Sequence, residues 1–200
     1  MDEIVKHAMT KWPDVPHCFG WLALDARGNW RMRDDRAQAL GLAGDRIRNA
    51  TLQNFINRNY LGDAAGRWYF QNGPQRVYVD LEICPHVCRT DPAQGMLLHT
   101  GERMLQPDSA ILTVEGDLVF DNSDTGSCAV LDNRDLGQGL ALLQMEGMAP
   151  DEASLAGWMA AEHDALLTLD WQGRQLPVQR CLRAELPLRF NFVARPRTSD

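Results

Sequence analysis

The stretch Ile83-Cys84-Pro85-His86-Val87-Cys88-Arg89 places two thiols and an imidazole within five residues. These are soft and borderline ligands of the kind that hold zinc, and paired thiols can also form a disulfide. On extended backbone Cys84, His86 and Cys88 share one face, but a rise of about 3.3 Å per residue sets the two cysteines roughly 13 Å apart. Zinc needs its sulfurs at about 2.3 Å, and a disulfide needs its Cα atoms within about 7 Å. On a helix Cys84 and Cys88 would meet while His86 faced away. Only a loop or bulge gathers all three. A second segment, Pro16-His17-Cys18, extends the metal alternative to a zinc set of Cys18, Cys84, His86 and Cys88, although no C-x-x-C pair accompanies it. The spacing favours structural side chains on a strand bent at Pro85, at an edge or bulge because proline lacks a ladder donor. No cofactor is therefore expected. His86, beside the bend, is the residue expected to face a small-molecule ligand.

Other motifs carry less. Asp124-Thr125-Gly126-Ser127 resembles an aspartic-protease signature, but polar Asp121-Asn122-Ser123 precedes it where an apolar strand belongs, so a polar turn is expected. Asp121, Ser123, Thr125, Gly126 and Asp132 fall at positions 1, 3, 5, 6 and 12 of a calcium loop, without the closing glutamate. The chain has no G-x-S-x-G, and Gly137-Gln138-Gly139 lacks the rest of a dinucleotide fingerprint. No catalytic constellation emerges.

The elements that must position these residues follow from periodicity and turn chemistry. Residues 2–11 predict a short amphipathic helix, ended by Trp12-Pro13. Residues 21–24 and 30–32 predict two strands around a turn containing Gly28. Asn49 predicts a helix N-cap, with Leu52, Phe55, Ile56 and Tyr60 as the apolar stripe behind it and Gly62 at its end. Asn72-Gly73 between Arg67-Trp68-Tyr69-Phe70 and Arg76-Val77-Tyr78-Val79-Asp80-Leu81 predicts a hairpin. Residues 90–106 read as a loop. Further hairpins are predicted around Glu115-Gly116 and Gln172-Gly173, a strand at 127–131, helices at 136–145 and from about 151 to 163, and a closing strand at 188–193. Trp21, Trp30 and Trp68 lie in predicted strands and are expected in the core.

Composition narrows the function classes. The 200 residues are 44% hydrophobic and 24% charged, an ordinary globular balance. The net charge is -7, and Lys6 and Lys11 are the only lysines. Without a basic stripe to neutralise phosphates, no nucleic-acid partner is expected. An acidic start and the lack of a long apolar run predict no membrane partner and a cytoplasmic location, where the five cysteines stay reduced.

Taken in order, G-W-L-A-L-D-A-R-G-N-W, an N-capped helix and R-W-Y-F-Q-N-G-P-Q-R-V-Y-V-D-L-E-I-C-P-H-V resemble two-domain bacterial proteins of unknown function. The resemblance covers about residues 18–90 and implies a strand pair, a helix and a hairpin followed by a second, sheet-rich domain. It also implies a ligand-binding or regulatory role. The fold expected is α+β: two small units, residues 1–92 and 93–200, each an antiparallel sheet with one or two short helices. The expected function is a small-ligand-binding or regulatory module without catalysis. The alternatives are a zinc-dependent enzyme or binding site at the Cys/His cluster, and a protein-interaction module that forms a homodimer through sheet edges.

Overall fold

A computed structural model describes residues 1–104, 106–122 and 126–198. The chain divides into two compact units. One comprises Met1–Pro85, His99–Gly101 and Asn191–Asp200, the other His86–Leu98 and Glu102–Phe190.

The first unit opens with helix α1 (Glu3–Lys11), which buries Val5. Strands β1 (Cys18–Leu24) and β2 (Trp30–Met32) form the expected hairpin. Its turn is closed by Asp25, whose Oδ1 accepts from the backbone N–H of Arg27 and Asn29 at 3.0 and 2.8 Å. Short helix α2 (Asp35–Ala39) and the two-residue strand β3 (Asp45–Arg46) follow. Helix α3 (Ala50–Arg58) begins at the expected cap, where Asn49 Oδ1 accepts from Leu52 N–H at 2.9 Å. It stops before Tyr60, which opens strand β4 (Tyr60–Gly62). The hairpin of β5 (Trp68–Asn72) and β6 (Gln75–Leu81) has Asn72 opposite Gln75, so its two-residue loop is Gly73-Pro74 and not Asn72-Gly73. Gly73 has φ +57° at the first loop position, where glycine is favoured. The sheet order is β3-β2-β1-β6-β5-β4. Helix α3 contacts β5 through Phe55 against Phe70, edge to face at 5.4 Å. The rings of Trp30 and Tyr60 meet edge to face at 5.0 Å.

The second unit contains β7 (His86–Asp91), β8 (Gly95–Leu98), β9 (Ser109–Thr113), β10 (Leu118–Asn122) and β11 (Ser127–Leu131). Then come α4 (Leu136–Leu140), β12 (Leu143–Met145), α5 (Glu152–Met159), β13 (Leu167–Trp171), β14 (Arg174–Cys181), a single 3-10 turn (Arg183–Glu185) and α6 (Leu186–Arg189). The sheet order is β12-β13-β14-β9-β10-β11-β7-β8. Leu112, Leu118, Phe120, Leu143, Leu167, Leu169 and Leu176 form its buried core, with Leu136 and Leu140 of α4 and Leu155 and Met159 of α5 packed against it. Helix α4 approaches closely because Gly139 has no side chain: a Cβ there would lie 2.6 Å from Leu131 Cδ2 and 2.8 Å from Leu118 Cδ2.

The fold is therefore mixed α/β, with two sheets. The sheets are not purely antiparallel, as the hairpin signals suggested. β1 runs parallel to β6, β7 to β11, and β9 to β14. A parallel pair joins strands remote in sequence through a crossover, and short-range turn chemistry carries no signal for it. Strand pairing crosses the expected division after residue 92. β7 pairs with β11 and β8 in the second sheet, whereas the last residues return to the first unit. The region read as a loop at 90–106 contains β8 in a hairpin with β7. The helix expected at 136–145 ends early, and its tail becomes β12, where Leu143 pairs with Leu169. The strand expected at 188–193 does not form. Glu185, Leu186 and Pro187 start a helix, proline suits a first turn, and Leu188 points to water at 90% exposure. Trp30 is buried and Trp68 half-buried, but Trp21 on β1 is exposed. Among the described residues, no helix is long and apolar enough to cross a membrane.

Candidate functional site

Strand β2 and the residue after it supply Arg31 and Arg33. Strand β6 supplies Asp80. Cross-strand register sets Arg31 opposite Ala23 and Ala23 opposite Asp80, so one lateral row of the first sheet reads Arg–Ala–Asp. A methyl group is all that Ala23 places between two long polar side chains, and a cleft of about 290 Å³ opens over this row. Its lining adds Asp25 and Glu82, the loop Gly41-Leu42-Ala43, and Arg195 and Arg197 from the last segment of the unit.

That last segment is tied down along its backbone. Val193 N–H donates to Gly66 O at 2.8 Å, and Leu81 N–H donates to Ala194 O at 2.7 Å. Phe192 and Pro196 are buried. The chain bends at Ala194-Arg195, and Pro196 keeps it out of a helix. Arg195 and Arg197 both line the same cleft.

Asp80 is 5% exposed and carries two guanidinium groups. Arg33 Nη1 donates to its Oδ2 at 2.6 Å; Arg197 Nη1 donates to Oδ1 at 2.7 Å and Nη2 to Oδ2 at 3.2 Å. The carboxylate raises the pKa of Arg197, chiefly through these hydrogen bonds. Arg33 Nε also donates to Leu42 O at 3.1 Å, which fixes the loop wall. Arg31 Nε donates to Asp25 Oδ2 at 2.8 Å and its Nη1 to Gly44 O at 3.2 Å. Burial acts to raise the Asp25 pKa, but hydrogen bonds from Asn29, Arg31 and Arg27 outweigh it and hold the carboxyl below its usual value. Glu82 Oε2 accepts from Ala26 N–H at 2.8 Å. Arg195 is exposed and, among the described residues, engages no carboxylate. The lining holds four arginines against three carboxylates, a surplus of one positive charge in a chain of net charge -7.

Two other clefts lack this feature. One, bordered by Met32, Asp34, Arg36, Ala37 and Asp45, shares Leu42 and Ala43 with the arginine cleft but has no cluster of convergent cations. The other lies in the second unit around Arg89, Asp132, Arg134 and Asp135. There Asp132 is engaged by Arg134, and Asp135 Oδ2 accepts from Thr90 N–H at 2.7 Å.

The match to known families spans this whole arrangement. The DUF2944 family model, described as "Protein of unknown function (DUF2946)", matches residues 1–197. The chain belongs to this family. No curated protein matches it. Among solved structures it is similar to a DUF1285 family protein from Silicibacter pomeroyi DSS-3, at 11% identity and TM-score 0.50, with 90% of this chain and 96% of that chain covered. At that identity the likeness concerns the fold alone. The resemblance to uncharacterised proteins drawn from residues 18–90 thus extends along the chain of this DUF2944 member.

The Cys/His stretch is placed differently from the expectation. β6 ends at Leu81, the chain bends through 82–85, and β7 starts at His86. Pro85 therefore precedes the strand, and no ladder donor is lost. Its carbonyl accepts from Tyr60 Oη at 2.9 Å. β7 is not an edge strand, since it lies between β11 and β8. None of the five cysteines forms a disulfide; Cys18 is half-buried and Cys84 and Cys88 are buried. Burial drives the Cys88 thiol pKa strongly upward. Among the described residues, no group of three or more His, Cys, Asp or Glu side chains is placed to hold a metal ion. The zinc set of Cys18, Cys84, His86 and Cys88 is not gathered. His86 is largely buried, lines none of these three clefts, and burial lowers its pKa to about 4. Asp124 and Thr125, and with them the protease-like motif and much of the calcium loop, lie outside the described residues. Sequence reading passed over the arginine cleft, although Arg31-Met32-Arg33, at a predicted strand, shows the alternate spacing that sets two cations on one side.

Proposed function

We propose that this DUF2944 member is a small-ligand-binding or regulatory module without catalysis, and that the arginine cleft of its first unit takes a small anionic ligand. The observation that supports this reading is the surplus charge: Arg195 shares a cleft with three arginines whose carboxylate partners are already in place. An Arg fork in a concave, partly apolar site is suited to binding an anion through paired hydrogen bonds. The described lining has no serine, cysteine, histidine or lysine, and its carboxylates Asp25 and Asp80 are engaged by arginines, so it offers contacts suited to binding. Arg33 and Arg197, held by Asp80, keep the walls in position and contribute positive potential.

A thermal-shift screen of small anions and their neutral analogues, at constant ionic strength, tests this reading. Stabilisation by an anion that disappears in Arg195→Ala is expected. Equal shifts in wild type and Arg195→Ala would place recognition elsewhere.

A further inference from the structure

We infer that the ligand of the arginine cleft is a small monocarboxylate with a short apolar body; this rests on the reading that the cleft binds an anion. The charge balance points to a single negative charge. Asp25 is matched by Arg31, and Asp80 is shared by Arg33 and Arg197. Glu82 accepts a backbone N–H and adds a third carboxylate to the lining. One added negative charge would neutralise the surplus. A second would lie among Asp25, Asp80 and Glu82 without a cation left to meet it. Like charges at close range disfavour such a ligand, and this repulsion is how a site rejects a competitor of the same sign.

The shape agrees. A planar guanidinium fork matches the two oxygens of a carboxylate. The rest of the lining is Gly41 and the apolar Ala23, Leu24, Leu42, Ala43 and Leu81, with Leu42 49% exposed and able to cover an apolar body. A volume of about 290 Å³ is at the lower end of ligand pockets, which run from about 300 to 1,000 Å³. Such a volume suits a branched short-chain acid.

Isothermal titration of the full chain at about pH 8, where inorganic phosphate is mostly a dianion, tests the inference. The probes are 3-methylbutanoate, succinate, inorganic phosphate and the neutral 3-methylbutan-1-ol, all at constant ionic strength. The expected result is that 3-methylbutanoate binds at least about tenfold tighter than the other three, and that Arg195→Gln weakens it by about tenfold or more. Arg58→Gln, on the exposed face of α3, leaves binding unchanged and serves as the control. Circular dichroism establishes that each variant is folded. If succinate or phosphate binds tighter than 3-methylbutanoate and loses affinity in Arg195→Gln, the anion reading stands and the monocarboxylate inference falls. If no anion binds in an Arg195-dependent way, or the alcohol binds as well as the acid, both fall.

Discussion

At the centre of the first sheet, next to the parallel seam of β1 and β6, lies a carboxylate held by two arginines. At the centre of the second, next to the seam of β14 and β9, lie Ala110, Ile111 and Leu112, each 0–1% exposed. In the first unit, ion pairs at Asp25, Asp63 and Asp80 are combined with stacked and edge-on aromatic rings. The second unit also has ion pairs, at Asp117, Asp132 and Asp164, but the centre of its sheet contributes to one apolar cluster that helices α4 and α5 help to cover. A buried ion pair contributes modest net stability because desolvation offsets attraction, whereas apolar burial stabilises by about 25 cal/mol per Å². The difference teaches where the arginine-rich cleft can sit: it opens over the sheet with a charged centre, whereas the charged cleft of the second unit lies around Arg89, Asp132, Arg134 and Asp135.

The largest expected effect tests the apolar side of this contrast. Phe120 is fully buried and its ring meets Trp171 at 5.2 Å. Phe120→Ala should cost about 3–5 kcal/mol in denaturant unfolding, through lost burial and the cavity left behind. A cost below about 1 kcal/mol would mean that the cluster is not the main support of the second unit.

Next comes the charged side. Asp80→Ala leaves Arg33, whose side chain is 13% exposed, without its carboxylate. The expected cost is about 2–4 kcal/mol, more than the pair contributes in net terms, because an uncompensated charge stays partly buried. The double variant Asp80→Leu/Arg33→Met should recover much of that loss. A single variant as stable as wild type breaks the comparison.

Acid separates the two units. His86 has a folded pKa of about 4 against 6.5 in the unfolded chain, because burial disfavours its charge. Its unfolded form binds the extra proton first. The stability it contributes is full above about pH 6.5 and is lost as the pH falls toward 4, by roughly 3 kcal/mol. Asp25 and Asp63 have lowered pKa values: burial acts to raise them, but hydrogen bonds, including those from Arg31 and Arg67, outweigh it. Their contribution is present above the ordinary carboxylate pKa and is lost only below it. Denaturant unfolding at pH 7 and at about pH 4.5 should therefore show a drop that His86→Gln removes. A drop that survives this substitution points to other groups.

The smallest effect concerns a turn. Gly73 holds φ +57°, with only Ala8 Cβ within 4 Å of where its own Cβ would be, at 3.8 Å. Gly73→Val should cost about 1–2 kcal/mol from backbone strain alone. Unchanged stability would show that the β5–β6 loop relaxes to another turn.

The candidate site was legible only in fragments. Arg31 and Arg33 stand beside a strand that the turn at Gly28 announced, and Asp80 lies within a run that reads as a strand. Arg197, however, meets Asp80 from 117 residues away, and the stretch before it was read as a closing strand. Alternation at Leu188, Phe190 and Phe192 suggested that strand; the helix start at Glu185 to Pro187 prevailed. The Cys/His stretch attracted attention by its residue types. Its environment, buried thiols and a largely buried imidazole, was decided by the strands that pack around it.

By itself the sequence determined the local blocks. Turn glycines, the Asn49 cap and the apolar periodicities specify β1–β2, β5–β6, β9–β10 and β13–β14, because each is closed by interactions between near neighbours. Only the tertiary structure decided how the blocks join. The three parallel seams, the transfer of β7 to the second sheet and the return of Arg195 and Arg197 to the first unit depend on contacts between distant segments. Local propensity is indifferent to these contacts. They form because burying the exposed edges and faces of several blocks together removes more apolar surface from water, and satisfies more backbone groups, than any block can alone.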